Sequence, residues 1–356
     1  MAKTKTKGLT LTKATKFGRA FVKYGSIFLV VMIFGRIIWQ ASIAYWKATH
    51  PEPPPPPTRN FGQLPDIAFA ANQNQVVSYK LELPPGNFPQ FGDRAVVYFM
   101  PKKTASLLDT DVAKEIGRRY GFTSEPQLLN ETTLRWNKSQ TLNTTLELDI
   151  INHNFTFMTD YLAHPELILN AKIPTAFDAV QQVKQFLSSG QLLPADVATS
   201  SGKITYLRAV GGQLKPAVSV SDAQFVQVDL NRSPIKDAFP IYTSDGSTGT
   251  IHAILSSGLS SNGVVELTRN YWPVDYSLAE TYYLRSVDAA WKLLQTGKGY
   301  VANSGTAEQA VIREVVLGYF EGEQAQLYLQ PIYVFKGDGG FLGYVSALAA
   351  NQTNPE

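Results

Sequence analysis

Seven basic residues without an acid, a long apolar run and a proline block fix the layout of this chain before anything else is read. Lys3, Lys5, Lys7, Lys13, Lys16, Arg19 and Lys23 precede an apolar stretch at 25–46, and Pro51 and the prolines at 53–57 come after it. As helix, the stretch reaches roughly 33 Å at about 1.5 Å per residue, the depth of a bilayer core. Trp39, Tyr45 and Trp46 cluster at its outer end, as an interfacial aromatic belt does. Lys and Arg beside a span resist translocation. The expected layout is therefore a basic cytoplasmic tail (1–24), one transmembrane helix (25–46), a Pro-rich spacer (47–60) and an extracytoplasmic remainder. A cleaved signal peptide ending at Ser42-Ile43-Ala44 is the rival, but the run exceeds a normal signal core and bulky Tyr45-Trp46 lies just past the cut. Arg36 stands in mid-span, where insertion costs about 2.5–3.5 kcal/mol, so it marks a candidate contact with a polar group of another membrane protein.

Charge and cysteine content narrow the rest. The first 50 residues hold nine of the 32 basic residues and none of the 29 acids, so the remainder carries 23 against 29, a net −6. Nucleic-acid binding needs a basic stripe on the folded part and is excluded as an expectation; the basic arm suits an anionic membrane face instead. With no cysteine, thiolate metal sites and thiol catalysis are ruled out. A secreted region of this size without disulfides fits a bacterial envelope and must rest on a true hydrophobic core.

From residue 61 the pattern is mostly period two and rich in β-branched and aromatic residues, with candidate strands at 76–83, 95–100, 145–151, 155–161, 203–210, 225–230, 250–255, 264–270, 311–319 and 325–335. Gly337-Asp338-Gly339-Gly340 turns into a closing strand at 341–348. Helical spacing interrupts at 110–120, 175–187 and 286–294, each run stopping at a glycine: Gly121, Gly190 and Gly297. A helix–glycine–strands cadence used two or three times predicts an α+β fold of antiparallel sheets, each covered by a helix. The expected boundaries are a first α+β unit at 61–165, a middle β-rich unit at 166–284 and a C-terminal α+β unit at 285–350, with linkers at 163–174 and 211–215.

Several segments carry a resemblance. Phe61-Gly62-Gln63-Leu64-Pro65, Tyr120-Gly121-Phe122, Leu317-Gly318-Tyr319-Phe320 and the stretch from Leu329 to Gly337 resemble an uncharacterised family of single-span extracytoplasmic proteins of candidate-phylum bacteria. The last third also resembles the YycH/YycI type of accessory protein, through the Ala289-Ala290-Trp291 helix, the strand at 312–320 and the Pro331–Phe335 hairpin segment. That resemblance implies PepSY-like α+β units on one N-terminal span, holding a membrane sensor kinase in check, with no catalytic residue to carry over.

Few residues carry a chemical motif. His50, His153, His164 and His252 lack metal-pair spacing, and the two Ser-x-x-Lys matches (Ser200–Lys203, Ser233–Lys236) fall in turns. Glu321 and Glu323 flank a turn glycine. The expectation is a non-enzymatic, cofactor-free and metal-free accessory protein of the cell envelope. A glycan-binding or adhesive module is the alternative, and a carboxylate hydrolase comes third. Protease added to spheroplasts is expected to remove residues 61–356; their full protection overturns the orientation.

Overall fold

The computed structural model describes residues 11–49, 56–70, 78–84, 86–168, 173–244, 246, 249–257, 263–306 and 309–350. Lys3, Lys5, Lys7, His50, Pro51 and the prolines at 53–55 lie outside them. Two compact units result, Met1–Pro56 and Pro57–Glu356. The first contains helix α1 (Leu11–Thr49). Within it, Thr15–Trp46 is long and apolar enough to cross a membrane. Its apolar residues surround the axis instead of forming one stripe, the pattern of a span and not of a surface helix.

The second unit runs β1 (Ser78–Leu81), β2 (Arg94–Phe99), α2 (Asp109–Arg119), β3 (Gln127–Asn130), β4 (Thr133–Ser139), β5 (Asn143–Asp149) and β6 (Phe155–Thr159). Then come the short α3 (Pro165–Ile168), α4 (Ala176–Ser189), the short α5 (Ala195–Ala198), β7 (Lys203–Val210), β8 (Gln213–Pro216) and β9 (Phe225–Leu230). β10 (Ile241–Tyr242), β11 (Ile251–Leu255), β12 (Val264–Arg269), β13 (Asp275–Tyr283) and α6 (Val287–Gln295) are next. β14 (Tyr300–Asn303), β15 (Gln309–Phe320), β16 (Tyr328–Gly337) and β17 (Leu342–Ser346) close the chain.

The architecture is α+β, and the helix-then-strands cadence occurs three times: α2 before β3–β6, α4 before β7–β9, and α6 before β14–β17. Helix starts obey capping chemistry. The Thr175 and Ser286 side chains accept from the Asp178 and Ala289 amides, both at 3.2 Å. α2 stops because Gly121 takes a positive φ of 83°, which a side chain would strain.

Two of the three repeats fuse into one sheet. Its nine strands run β3-β4-β5-β6-β12-β11-β9-β7-β8, and the join is the antiparallel β6–β12 pair. One core under this sheet takes Ala113 and Ile116 from α2, and Val183 and Phe186 from α4. Trp136, Leu146, Val228 and Leu267 meet them from the strands. Both helices therefore cover the same face. The other sheet has eight strands, with β1-β15-β16-β17-β14 as its main path and β2, β10 and β13 attached. α6 packs Ala290, Trp291 and Leu294 on it. Gly318 is required where β10 closes on β15, since a Cβ there would lie 2.7 Å from the Pro240 carbonyl oxygen.

The sheets do not respect the sequence segments 61–165, 166–284 and 285–350. β2 leaves the first segment to pair with β13 and β16, so the three segments share sheets. Residues 211–215 are no linker; Gly211-Gly212 is the β7–β8 hairpin turn. β13 has no counterpart among the sequence-predicted strands, because it exposes most of one flank and lacks a buried alternation.

Residues 57–70 form a strap inlaid along the eight-stranded sheet. The Thr58 amide donates to Thr281 Oγ1 (3.0 Å) and the Thr281 amide to Thr58 Oγ1 (3.1 Å), so the strap covers part of the β13 edge. Asn60 Nδ2 donates to Glu280 Oε1 at 2.9 Å. Phe61 packs on Tyr328, Leu64 is fully buried beside Val97, Tyr282 and Leu348, and Phe69 stacks on Tyr300. Residues 58–60, expected as the end of the spacer, are tied to β13 by these hydrogen bonds while remaining exposed, and Leu64 anchors the strap in the core. Leu64→Ala is expected to lower unfolding free energy by about 2–5 kcal/mol in a denaturant titration. A loss below the error of that titration would show the strap to be peripheral.

Candidate functional site

Two features of the second unit gather polar groups: a buried junction between the sheets and a polar row on the face of the nine-stranded sheet opposite its helices. At the junction, Arg232 leaves the end of β9 with its side chain wholly buried. Its Nε and Nη2 donate to Glu321 Oε2 and Oε1, each at 2.7 Å. Glu321 comes directly after β15 of the other sheet and is equally enclosed. Nη1 donates to Asp196 of α5, and Nη2 also reaches the Trp272 carbonyl. The Tyr271 ring lies 4.3 Å from the guanidinium carbon, within cation–π range. The Tyr271 and Tyr276 hydroxyls donate to the two Asp196 oxygens at 3.0 and 2.9 Å.

Burial and pairing act on these groups in opposite directions. Burial opposes the Arg232 charge, but the pull of Glu321 and Asp196 raises its pKa above the ordinary arginine value. Burial holds the Glu321 carboxyl above the usual carboxylate range, because it outweighs the opposing pull of the bidentate guanidinium. The Tyr271 hydroxyl is pushed up to about 12, chiefly by burial, and stays a donor. Glu321 spends both oxygens on Arg232, and Asp196 spends one on Arg232 and Tyr276 and the other on Tyr271, so this pair of acids is engaged in holding the cation in place.

The polar row arises from strand register. Cross-strand partners run Gln127, Arg135, Glu147, Thr156, Thr268, His252, Asp229, Lys203, from β3 across to β7. Alternation places these side chains away from α2 and α4. Arg135 pairs with Glu147, and His252 Nδ1 lies 2.8 Å from Asp229 Oδ1. A shallow cleft of about 260 Å³ opens over Thr133, Glu147, Asp149, Asn154, Thr268 and Asn270. At its other end the same face is apolar and covered: Tyr161 and Ile168 pack on Leu207, Phe225 and Ile254.

The sequence-flagged residues scatter. Arg36 lies in α1. His252 joins the row, His153 approaches Lys103 (3.5 Å), and His164 lies between Asp160 and Glu166. Among the described residues, no three His, Asp or Glu side chains converge as metal ligands. Ser233 bonds Thr199 and Lys203 opens β7, so neither Ser-x-x-Lys match assembles a helix-borne pair. Glu321 and Glu323 do not act together: Glu321 is sealed in the junction, and Glu323 offers its backbone oxygen to Trp272 Nε1. Sequence reasoning missed Arg232, Asp196 and Tyr271. The one signal was a charge flush against an apolar strand, and its partner Glu321 stands 89 positions away.

No protein-family model matches the chain, and no curated protein matches it. Among solved structures it is similar to an uncharacterised protein from Eubacterium rectale, with 9% identity and a TM-score of 0.34 over 74% of this chain and 86% of that one. It is also similar to the YpeB C-terminal domain of Bacillus megaterium, with 10% identity and a TM-score of 0.32 over 70% of this chain and 100% of that one. The α+β architecture rests on the chain's own sheets and helices, not on likenesses of this degree.

Arg232→Met leaves Glu321 buried without its counter-ion and is expected to cost about 3–5 kcal/mol in chemical denaturation. The double variant Arg232→Met with Glu321→Leu is expected to recover much of that loss. Strict additivity of the two single losses would show that the pair does not couple the sheets.

Proposed function

We propose that this protein is a membrane-anchored, extracytoplasmic accessory protein that regulates a membrane partner by protein–protein contact, without catalysis. Arg36 carries the reading: it is the one charged residue in the apolar stretch at 25–46. Packing alone would place Leu or Ile there. A polar group in a partner helix offsets the cost and gives recognition. The partner class implied by the sequence resemblance is a sensor kinase.

The folded unit supports this reading in two ways. The strap begins at the residues just beyond the prolines and is inlaid into the eight-stranded sheet, so a pull on the spacer is a pull on β13 and on the core around Leu64. The polar row presents carboxylate, guanidinium, imidazole, amide and hydroxyl groups, a surface suited to polypeptide. The glycan-binding alternative calls for exposed aromatic rings on a sheet face, and no Phe, Tyr or Trp belongs to the row.

Crosslinking in native membranes tests the proposal. Arg36→Leu is expected to insert normally and keep a folded ectodomain while losing the co-purified partner. Arg36→Lys is expected to retain part of it, because the charge survives without the planar donor fork. Undiminished capture by Arg36→Leu overturns recognition through the span.

A further inference from the structure

We infer that the cleft between residues 88–93 and the start of α6 is a binding site for a peptide's C-terminal carboxylate carrying an apolar last residue. The cleft measures about 460 Å³, within the usual range for ligand clefts of about 300–1,000 Å³. Phe88, Phe91, Leu284, Val287 and Tyr333 give it apolar walls, and Arg285 lies among them. Phe91 packs against Tyr333 with ring centroids 5.5 Å apart. The Tyr333 hydroxyl donates to the Arg285 carbonyl at 2.8 Å and fixes the backbone there.

The charge distribution selects the ligand. Arg285 is half-buried, and among the described residues the one hydrogen bond its guanidinium makes is from Nε to the Leu348 carbonyl at 2.7 Å. No carboxylate among the described residues forms an ion pair with it. Arg94, Arg118, Arg135, Arg208, Arg232 and Arg313 all have such a partner. Of the other arginines in this unit without one, Arg59 is exposed. Arg269 is enclosed by the Leu192 and His153 carbonyls and the Asn154 side chain. Burial pulls the Arg285 pKa below the ordinary arginine value, with Asp66 opposing, and an arginine stays charged through such a shift.

The cleft's own acids do not serve Arg285. Asp93 pairs with Arg94 at 2.7 Å and Asp288 with Lys292 at 2.6 Å. Asp66 acts on the guanidinium only from beyond ion-pair distance, so Arg285 stands beside an apolar wall with no ion-paired carboxylate among the described residues, and the positive end of the α6 dipole adds to its charge. A terminal carboxylate answers the guanidinium with charge-assisted hydrogen bonds, and an apolar last side chain answers the aromatic wall. The inference is independent of the anchoring proposal, since all these groups lie in the second unit.

The test is calorimetric titration of the full chain in lipid nanodiscs with acetyl-Ala-Ala-Phe bearing a free carboxylate, and with its C-terminal amide. The acid is expected to bind about tenfold or more tighter than the amide, and Arg285→Gln to reduce the acid to the amide's affinity. Asp288→Asn removes an exposed neighbouring carboxylate and is expected to tighten the acid by roughly threefold without changing the amide. This second variant keeps the test decisive if Arg285→Gln fails to fold. Equal binding of acid and amide, no binding of the acid, or an acid affinity unmoved by Asp288→Asn overturns the site.

Discussion

A buried guanidinium ties the two sheets of the second unit together. Arg232 leaves one sheet and meets Glu321 of the other, with neither side chain exposed. A charge enclosed in this way is tolerable only when paired and hydrogen-bonded, so each sheet supplies what the other cannot do without. An apolar contact at the junction would accept a range of angles. A forked Arg–carboxylate pair accepts one geometry, and Asp196, the Trp272 carbonyl and the Tyr271 ring occupy the remaining directions around the guanidinium. The junction therefore sets how two independently cored sheets sit together.

The rest of the second unit is arranged around that fixed relation. The nine-stranded sheet buries one face under α2 and α4 and leaves a polar row on the other. The eight-stranded sheet receives the strap on the β13 edge and the cleft beside α6. The strap and the cleft thus share one sheet, and Leu284 contributes both to the α6 core and to the core around Leu64.

Much of the local structure was legible. Lys203–Val210 and Phe225–Leu230 form strands with the bounds that periodicity predicts, and the three predicted helices form within a residue or two of expectation. The closing Gly337–Gly340 turn joins β16 to β17. Burial alternation and capping are properties of short windows, so a short window reveals them. β13 and β3 escaped because edge strands need no buried alternation; the burial of neither strand shows period two. The interleaved sheets escaped because β2 pairs with strands well over a hundred residues away.

By itself, the sequence determined the basic arm, the apolar helix with Arg36 inside it, the three capped helices and the strand-rich character of the chain beyond the prolines. Each is dictated by hydrophobicity, charge or backbone preference within a few turns of chain. Tertiary structure alone decided that two repeats share one sheet and that residues 57–70 lie along the other, with Leu64 buried in its core. It alone decided that Arg232, Asp196 and Glu321 meet, and that Arg285 lines a cleft with Phe88 and Phe91 and has no ion-paired carboxylate among the described residues. Those outcomes depend on which distant strands pair and on which charges remain unpaired once they have done so. Desolvation makes an unpaired charge costly only after the surrounding surface has been buried, and that burial is a property of the whole fold.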